Sequence, residues 1–302
     1  MNTIYLPTFA AFRGDVETIF GTLESEVLKK FPGEFNVGLE IGGKASHFKD
    51  AEALEKIVKN INEIARGVPT IVHGFSGIEI YTEGTADMSK EVGLNLLKTY
   101  IALGKKLGSG YVHVHGAVGY KGINNAPENK VEVLRRVKAN LLEGLKISDG
   151  INIGIENIPT PSCCDFETNP LEVWSDYVEQ PQDCWRIVKG TELKTTLDVA
   201  HYATNREGYI DLIKGVEFIE KYLGHLHIGD VSGYWKPYKS RCFDGVIPGE
   251  GRIGKDSFAH FFKYIKENHP NVGICLEVAN KDFKNPEEFR ESIKRVCGWL
   301  RA

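Results

Sequence analysis

The sequence predicts an α/β protein of the (β/α)8 TIM-barrel class, a single domain over residues 1–302. Three observations predict it. Short apolar runs alternate with amphipathic stretches along the whole chain, which implies a parallel sheet with both faces covered. There are eight such strand–helix units, with strand ends roughly 30–50 residues apart, enough for a crossover helix and suggestive of closure. Seven consecutive runs end on a carboxylate or an imidazole: Glu40, His73, His115, Glu156, Asp198, His227 and Glu277. A closed barrel carries its active site at the C-terminal ends of its strands. An open doubly wound sheet would gather such residues at one switch point instead.

In chain order, TIYLPT is the first strand, and a helix follows near VETIFGTLESEVLKKF. After Glu40, the stretch DAEALEKIVKNINEIARG places Ala51, Leu54, Ile57, Val58, Ile61 and Ile64 near the 3.6-residue period. After His73, SKEVGLNLLKTYIALGKKLG opens on Ser89 as a cap and closes on Gly108. ENKVEVLRRVKANLLEGLKISDG follows His115. TNPLEVWSDYVEQPQDCWRIVKG follows Glu156 and reads as two helices divided at Pro181. REGYIDLIKGVEFIEKYLG, KDSFAHFFKYIKENHP and NPEEFRESIKRVCGWLRA supply the remaining helices. The segment GDVSGYWKPYKSRCFDGVIPGEGRIG breaks the compact pattern; a long connection of this composition is expected to bind ligand or cover the site.

A buried strand gains nothing by ending on a charge, because desolvating an unpaired ion is costly. Seven such endings therefore point to a shared polar centre, most simply a metal site. Glu156, Asp198, His227 and Glu277 form a hard set of about −3 charge, suited to Mn²⁺, Zn²⁺, Co²⁺ or Mg²⁺. The competing reading is a network of buried ion pairs, but these strand ends supply few Lys or Arg. His73 and His115 either complete a second metal site with Glu156 bridging, hold substrate hydroxyls, or hydrogen-bond within the mouth. His201, three residues past Asp198, either caps a helix or reaches substrate. Asp230 is placed to orient His227. His113 and His225 read as packing residues facing the helices. Glu40, opposite the main cluster, is a substrate-orienting carboxylate or a salt-bridge partner.

Two patterns are discounted. Gly249–Lys255 approaches a phosphate-binding P-loop, but Asp256 stands where Ser or Thr would hold Mg²⁺. That turn, with Glu250 and Lys255, is still expected to contact ligand, and its amides suit a phosphate. Cys163-Cys164 lies near the expected mouth but needs an activating base.

Composition narrows the function class. A formal net charge of −4 gives no electrostatic reason for a polyanionic partner, so nucleic acid is not expected. The six Cys show no CxxC spacing, and Cys275 and Cys297 fall in apolar runs as buried thiols. That usage fits a reducing cytoplasm. No run is long enough to span a bilayer, and MNTIYLPTFAAFRGD lacks the pattern of a signal peptide.

The motifs IVHGF, YVHVHG, IGIEN, TLDVAH, HLHIGD, IPGEG and ICLEV, in this order across nearly the whole chain, resemble the xylose isomerase-like TIM-barrel superfamily. That superfamily includes sugar and sugar-phosphate isomerases and epimerases and the endonuclease IV enzymes. The resemblance implies a divalent metal ion at Glu156, Asp198, His227 and Glu277. In similar ketose epimerases the carboxylates matching Glu156 and Glu277 are also the acid/base pair. Endonuclease IV relatives use three zinc ions, and positions matching the first two sites are present, His73 and His115 with Glu156 included. The third site needs a ligand matching His201 and an Asp-x-His pair; here FDGVIPGEG offers Asp244 and no following His.

The expected function is therefore a metal-dependent isomerase or epimerase of a small sugar or sugar phosphate, working by proton transfer through a metal-stabilised enediolate. Glu156 and Glu277 would move the proton, and His201, His115, Trp235, Lys236 and Glu250 would contact substrate. The alternatives are an endonuclease IV-like phosphodiesterase acting on abasic DNA and a sugar-binding barrel without catalysis. A cytoplasmic location, no membrane partner and compatibility with a homo-oligomer complete the reading.

Overall fold

The structure, a computed structural model, describes residues 1–43, 45–48, 50–74, 87–120, 128–159, 173–204, 208–233 and 244–302. Eight parallel strands close into a barrel: β1 (Thr3–Thr8), β2 (Asn36–Ile41), β3 (Thr70–Gly74), β4 (Tyr111–His115), β6 (Asn152–Glu156), β8 (Lys194–Asp198), β9 (Leu223–Ile228) and β10 (Gly273–Leu276). The two strands between these in the chain, β5 (Val118–Tyr120) and β7 (Val173–Asp176), lie outside the barrel sheet. The barrel strands follow one another in chain order, and β1 closes the ring against β10 by pairing Thr3 with Gly273 and Tyr5 with Cys275. The expected barrel is the observed one.

Strand periodicity decides what each face carries. Ile4, Leu6, Leu39, Ile41, Val72, Val112, Ile153, Leu197, Leu226 and Ile274 belong to the large buried cluster that includes the apolar faces of the helices. The alternate positions Tyr5, Ile71, Tyr111 and Cys275 form a second, smaller cluster. Two glycines make room for its rings. A Cβ at Gly38 would stand 2.2 Å from a ring carbon of Tyr5, and one at Gly154 would stand 2.0 Å from the Tyr111 hydroxyl. That hydroxyl lies 3.1 Å from Thr196 Oγ1.

The helices begin and end largely where the sequence signals place them. Asp50 caps the helix Ala51–Ile64 by accepting the Ala53 amide at 2.9 Å. Asn129 does the same for Lys130–Lys146 through the amides of Val131 and Glu132. Gly108, with φ of 67°, ends Glu91–Leu107 in the left-handed region that suits glycine. Lys90 rather than Ser89 occupies the N-cap of that helix.

Two differences bear on the mouth. The stretch expected to form a helix before Pro181 contains a strand instead, β7, paired antiparallel with β5. Among the described residues of that stretch, the helix is Pro181–Val188. Local pattern could not reveal this, because the partner strand lies more than fifty residues earlier. The other difference is a short helix, Val199–Thr204, that begins directly after Asp198 and turns His201 back over the strand ends. Among the described residues, no helix is long and apolar enough to cross a membrane.

Candidate metal centre at the barrel mouth

The strand ends converge. His227 Nδ1 lies 3.2 Å from Glu156 Oε1, 3.3 Å from Glu277 Oε2 and 3.7 Å from Asp198 Oδ2. Parallel register brings this about: Asp198 pairs with His227, which pairs with Cys275 two residues before Glu277. The four residues expected to hold metal thus share one centre. His201 joins them, with Nδ1 at 3.3 Å from Glu156 Oε1 and Nε2 at 3.4 Å from Asp244. The Asp198 carboxylate accepts the His201 amide at 2.6 Å, so this residue both starts the short helix and faces the site.

A second group adjoins the first. His115 pairs with Glu156 across β4 and β6, and His73 Nε2 lies 3.1 Å from Glu156 Oε2. His115 Nε2 lies 3.6 Å from the same oxygen. Ligand atoms of His73, His115 and Glu156 all fall within 4.8 Å of one another, as do those of Glu156, Asp198, His201 and Glu277. Glu156 belongs to both sets.

The interior is more polar than the sequence suggests. His113 and His225 read as packing residues facing the helices, but residues two apart on a strand share a face. His113 therefore points inward with His115, and His225 inward with His227; both are buried inside the barrel. The His73 and His113 rings stack with centroids 4.3 Å apart. Glu40 does not stand opposite the cluster either. Its Oε1 is 2.9 Å from His73 Nδ1, and its Oε2 is 3.1 Å from His227 Nε2 and 3.2 Å from His225 Nε2.

The electrostatics follow from many charges in a dry interior. Burial favours neutral His227, yet the charges of Glu156, Glu277 and Glu40 lift it well above the usual imidazole range. His73 and His201 are likewise raised against burial, His73 chiefly by Glu156 and His201 chiefly by Asp198. Burial would raise Glu156, but His227, His115 and His73 hold it well below the ordinary carboxylate range. Glu277 is lowered in the same way, chiefly by His227. Burial instead pushes Asp198 up to about 7, and pushes His115 down to about 3.

The donor set fits a divalent cation. Glu156 Oε2 is buried and accepts no hydrogen bond, though imidazole nitrogens face it at 3.1, 3.4 and 3.6 Å. A buried charged oxygen in that position is costly unless a cation satisfies it. Carboxylate oxygens and imidazole nitrogens together suit Mn²⁺, Zn²⁺ or Co²⁺.

The mouth opens into a cavity of about 390 Å³ whose wall includes Phe9, His201, Asp244, Glu277, Phe283 and Phe289. Glu156 and His227 are wholly buried behind this lining. One expected contact falls elsewhere. Glu250 pairs with Arg295 at 2.6 Å and is not part of the cavity wall. Trp235 and Lys236 lie outside the described residues, as do Cys163 and Cys164. Asp230 does not touch His227. Its carboxylate accepts the amides of Val231, Gly249, Gly251, Ile253 and Gly254. The turn expected to offer amides to a phosphate already directs them at an internal anion. Chain proximity to His227 suggests the wrong partner; the glycine-rich turn is the usable signal.

Solved structures share the fold. A D-tagatose 3-epimerase-like protein superposes with a TM-score of 0.65 at 19% identity, covering 100% of this chain and 97% of that one. L-ribulose 3-epimerase gives 0.65 at 15% identity, with 100% and 95% coverage. Endonuclease IV from Thermus thermophilus gives 0.63 at 16%, with 99% and 98% coverage. At such identities the likeness is one of fold. A search of curated proteins finds no match. The sequence profile of the xylose isomerase-like TIM barrel matches residues 37–302, nearly the whole chain, and the chain belongs to that family.

Proposed function

We propose that the protein is a divalent-metal-dependent isomerase or epimerase of a small sugar or sugar phosphate. The observation that carries this reading is the meeting of Glu156, Asp198, His227 and Glu277 at one point beside an open cavity. A bound divalent ion would polarise a substrate carbonyl and stabilise the negative charge that develops when the neighbouring proton leaves. Glu277 is the carboxylate best placed to take that proton, because its side chain is 26% exposed and lines the cavity. Its neighbours keep it ionised, as a base requires. Glu156 is the partner carboxylate that returns a proton, in relay with the imidazoles packed on it. His201 and Asp244, held together at 3.4 Å, offer hydrogen bonds to substrate hydroxyls. Phe9, Phe283 and Phe289 supply apolar wall against a sugar's carbon face and help exclude water. The test is exchange of the α-proton of a ketose with D₂O. Exchange that survives both chelation and Glu277→Gln would refute the mechanism.

A phosphodiesterase of the endonuclease IV kind is the second reading. It draws on the adjoining His73, His115 and Glu156 group, which would let two ions act on one phosphate. Nicking of abasic-site DNA without any ketose exchange would favour it.

A further inference from the structure

Glu40 is used by neither reading above, and its geometry is specific. It is fully buried, and each of its oxygens meets a different candidate metal ligand. Oε1 lies 2.9 Å from His73 Nδ1, and Oε2 lies 3.1 Å from His227 Nε2. The opposite nitrogen of each ring faces Glu156: His73 Nε2 at 3.1 Å from Oε2, and His227 Nδ1 at 3.2 Å from Oε1. His73 and His227 thus both lie between Glu40 and Glu156, in opposite ring senses; Glu277 stands farther from His73 Nδ1, at 3.4 Å against 2.9 Å for Glu40, and 3.3 Å from His227 Nδ1.

A neutral imidazole carries one proton, and an ionised carboxylate only accepts. Whichever nitrogen is hydrogen-bonded to a non-ligating carboxylate keeps the proton, and the other is left bare for metal. We propose that Glu40 is a positioning residue that sets the tautomers of two metal ligands at once. It accepts the Nδ1 proton of His73 and the Nε2 proton of His227 in hydrogen bonds, so each ring gives up its other proton when metal binds and turns that bare nitrogen toward Glu156. The two adjoining metal groups are thereby prepared by one side chain. His225 donates to the same Oε2 at 3.2 Å, which fills that oxygen's second lone pair and fixes the carboxylate's rotation. This inference rests on the metal reading of the mouth, but not on which reaction occurs there.

The experiment reads the tautomers directly. Protein labelled with ¹⁵N-histidine is loaded with Zn²⁺, and long-range ¹H–¹⁵N correlations identify the protonated nitrogen of each ring. The expected result is Nδ1–H on His73 and Nε2–H on His227. In Glu40→Gln the amide keeps one acceptor and presents one donor, so one of the two rings should invert. Zinc affinity, measured by competition with a chelator, should fall about 10–100-fold in that variant. Glu40→Asp, which retains both acceptors, should restore part of the loss. A purely structural carboxylate would lower the melting temperature and leave the tautomers of the folded protein unchanged, and that result overturns the proposal. The opposite tautomers in the unsubstituted protein would also overturn it, whether or not the variants fold. If wild-type protein takes up no zinc, the metal reading fails by itself. Spectra of the metal-free protein, recorded as the pH is raised until the ring shifts report the neutral form, then still decide the tautomers.

Discussion

Asp230 Oδ2 accepts the amide of Gly251 at 2.9 Å, and a Cβ on Gly251 would stand 2.5 Å from the other oxygen of the same carboxylate. The turn is wrapped around this anion so closely that only glycine fits. Asp230→Ala would strand several buried amides, each costing about 1–3 kcal/mol, and should lower stability by more than about 3 kcal/mol in urea unfolding. Gly251→Ala should cost about 1–3 kcal/mol by overpacking, since the nearest atom, Val231 O at 2.4 Å, is backbone. A change in either below about 0.5 kcal/mol would show that the nest is not structural.

Glu277→Gln should cut ketose α-proton exchange by about 10²–10⁴-fold, the usual worth of a general base. The fold should persist, because this side chain is partly exposed while the core lies elsewhere. Circular dichroism alongside the exchange assay separates the two effects.

Metal affinity should rise with pH through the neutral range. In the metal-free protein His73, His201 and His227 hold protons well above the usual imidazole pKa, and Asp198 is raised to about 7. Binding must expel these protons, so the metal-free state carries more protons than the loaded state and acid favours it. The rise should continue above the free-imidazole value of about 6.5. Calorimetric titration in buffers of different ionisation enthalpy would count the protons released. Affinity that is flat from acid to neutral pH would contradict these residues as ligands.

Gly154→Ala should destabilise the protein by about 1–3 kcal/mol, because its Cβ would overlap the Tyr111 ring. Adding Tyr111→Phe removes the nearest atom and should recover part of the loss. A double-mutant cycle by chemical denaturation measures that coupling.

Glu250→Ala should leave turnover and KM unchanged and shift stability by less than about 1 kcal/mol, since its contact is an exposed pair with Arg295. A large rise in KM would return Glu250 to the substrate site.

The barrel was legible in the sequence because alternation and strand length are local signals. The convergence of the strand ends was legible because a charged end on a buried strand is hard to explain unless something satisfies it. Less came through where the partner is distant or the periodicity is misapplied. His113 and His225 sit two residues from His115 and His227, so period-two geometry already places them inside. Glu40 looks isolated when taken alone, although a buried carboxylate needs partners, and strands β3 and β9 supply them. The β5–β7 pairing is invisible to local pattern because it depends on a contact across one complete strand–helix unit.

That small ribbon has a consequence for the rim. It joins the connection that follows His115 to the one that follows Glu156 through Val118–Tyr120 and Val173–Asp176, so separating those two strands means breaking their ladder. The described cavity wall draws on the regions after β1, β8, β9 and β10, through Phe9, His201, Asp244 and Phe283. Residues from the beginning and the end of the chain thus face one another across the described cavity. Bulky groups added at Phe9 or Phe283, both on that wall, should slow the entry of substrate.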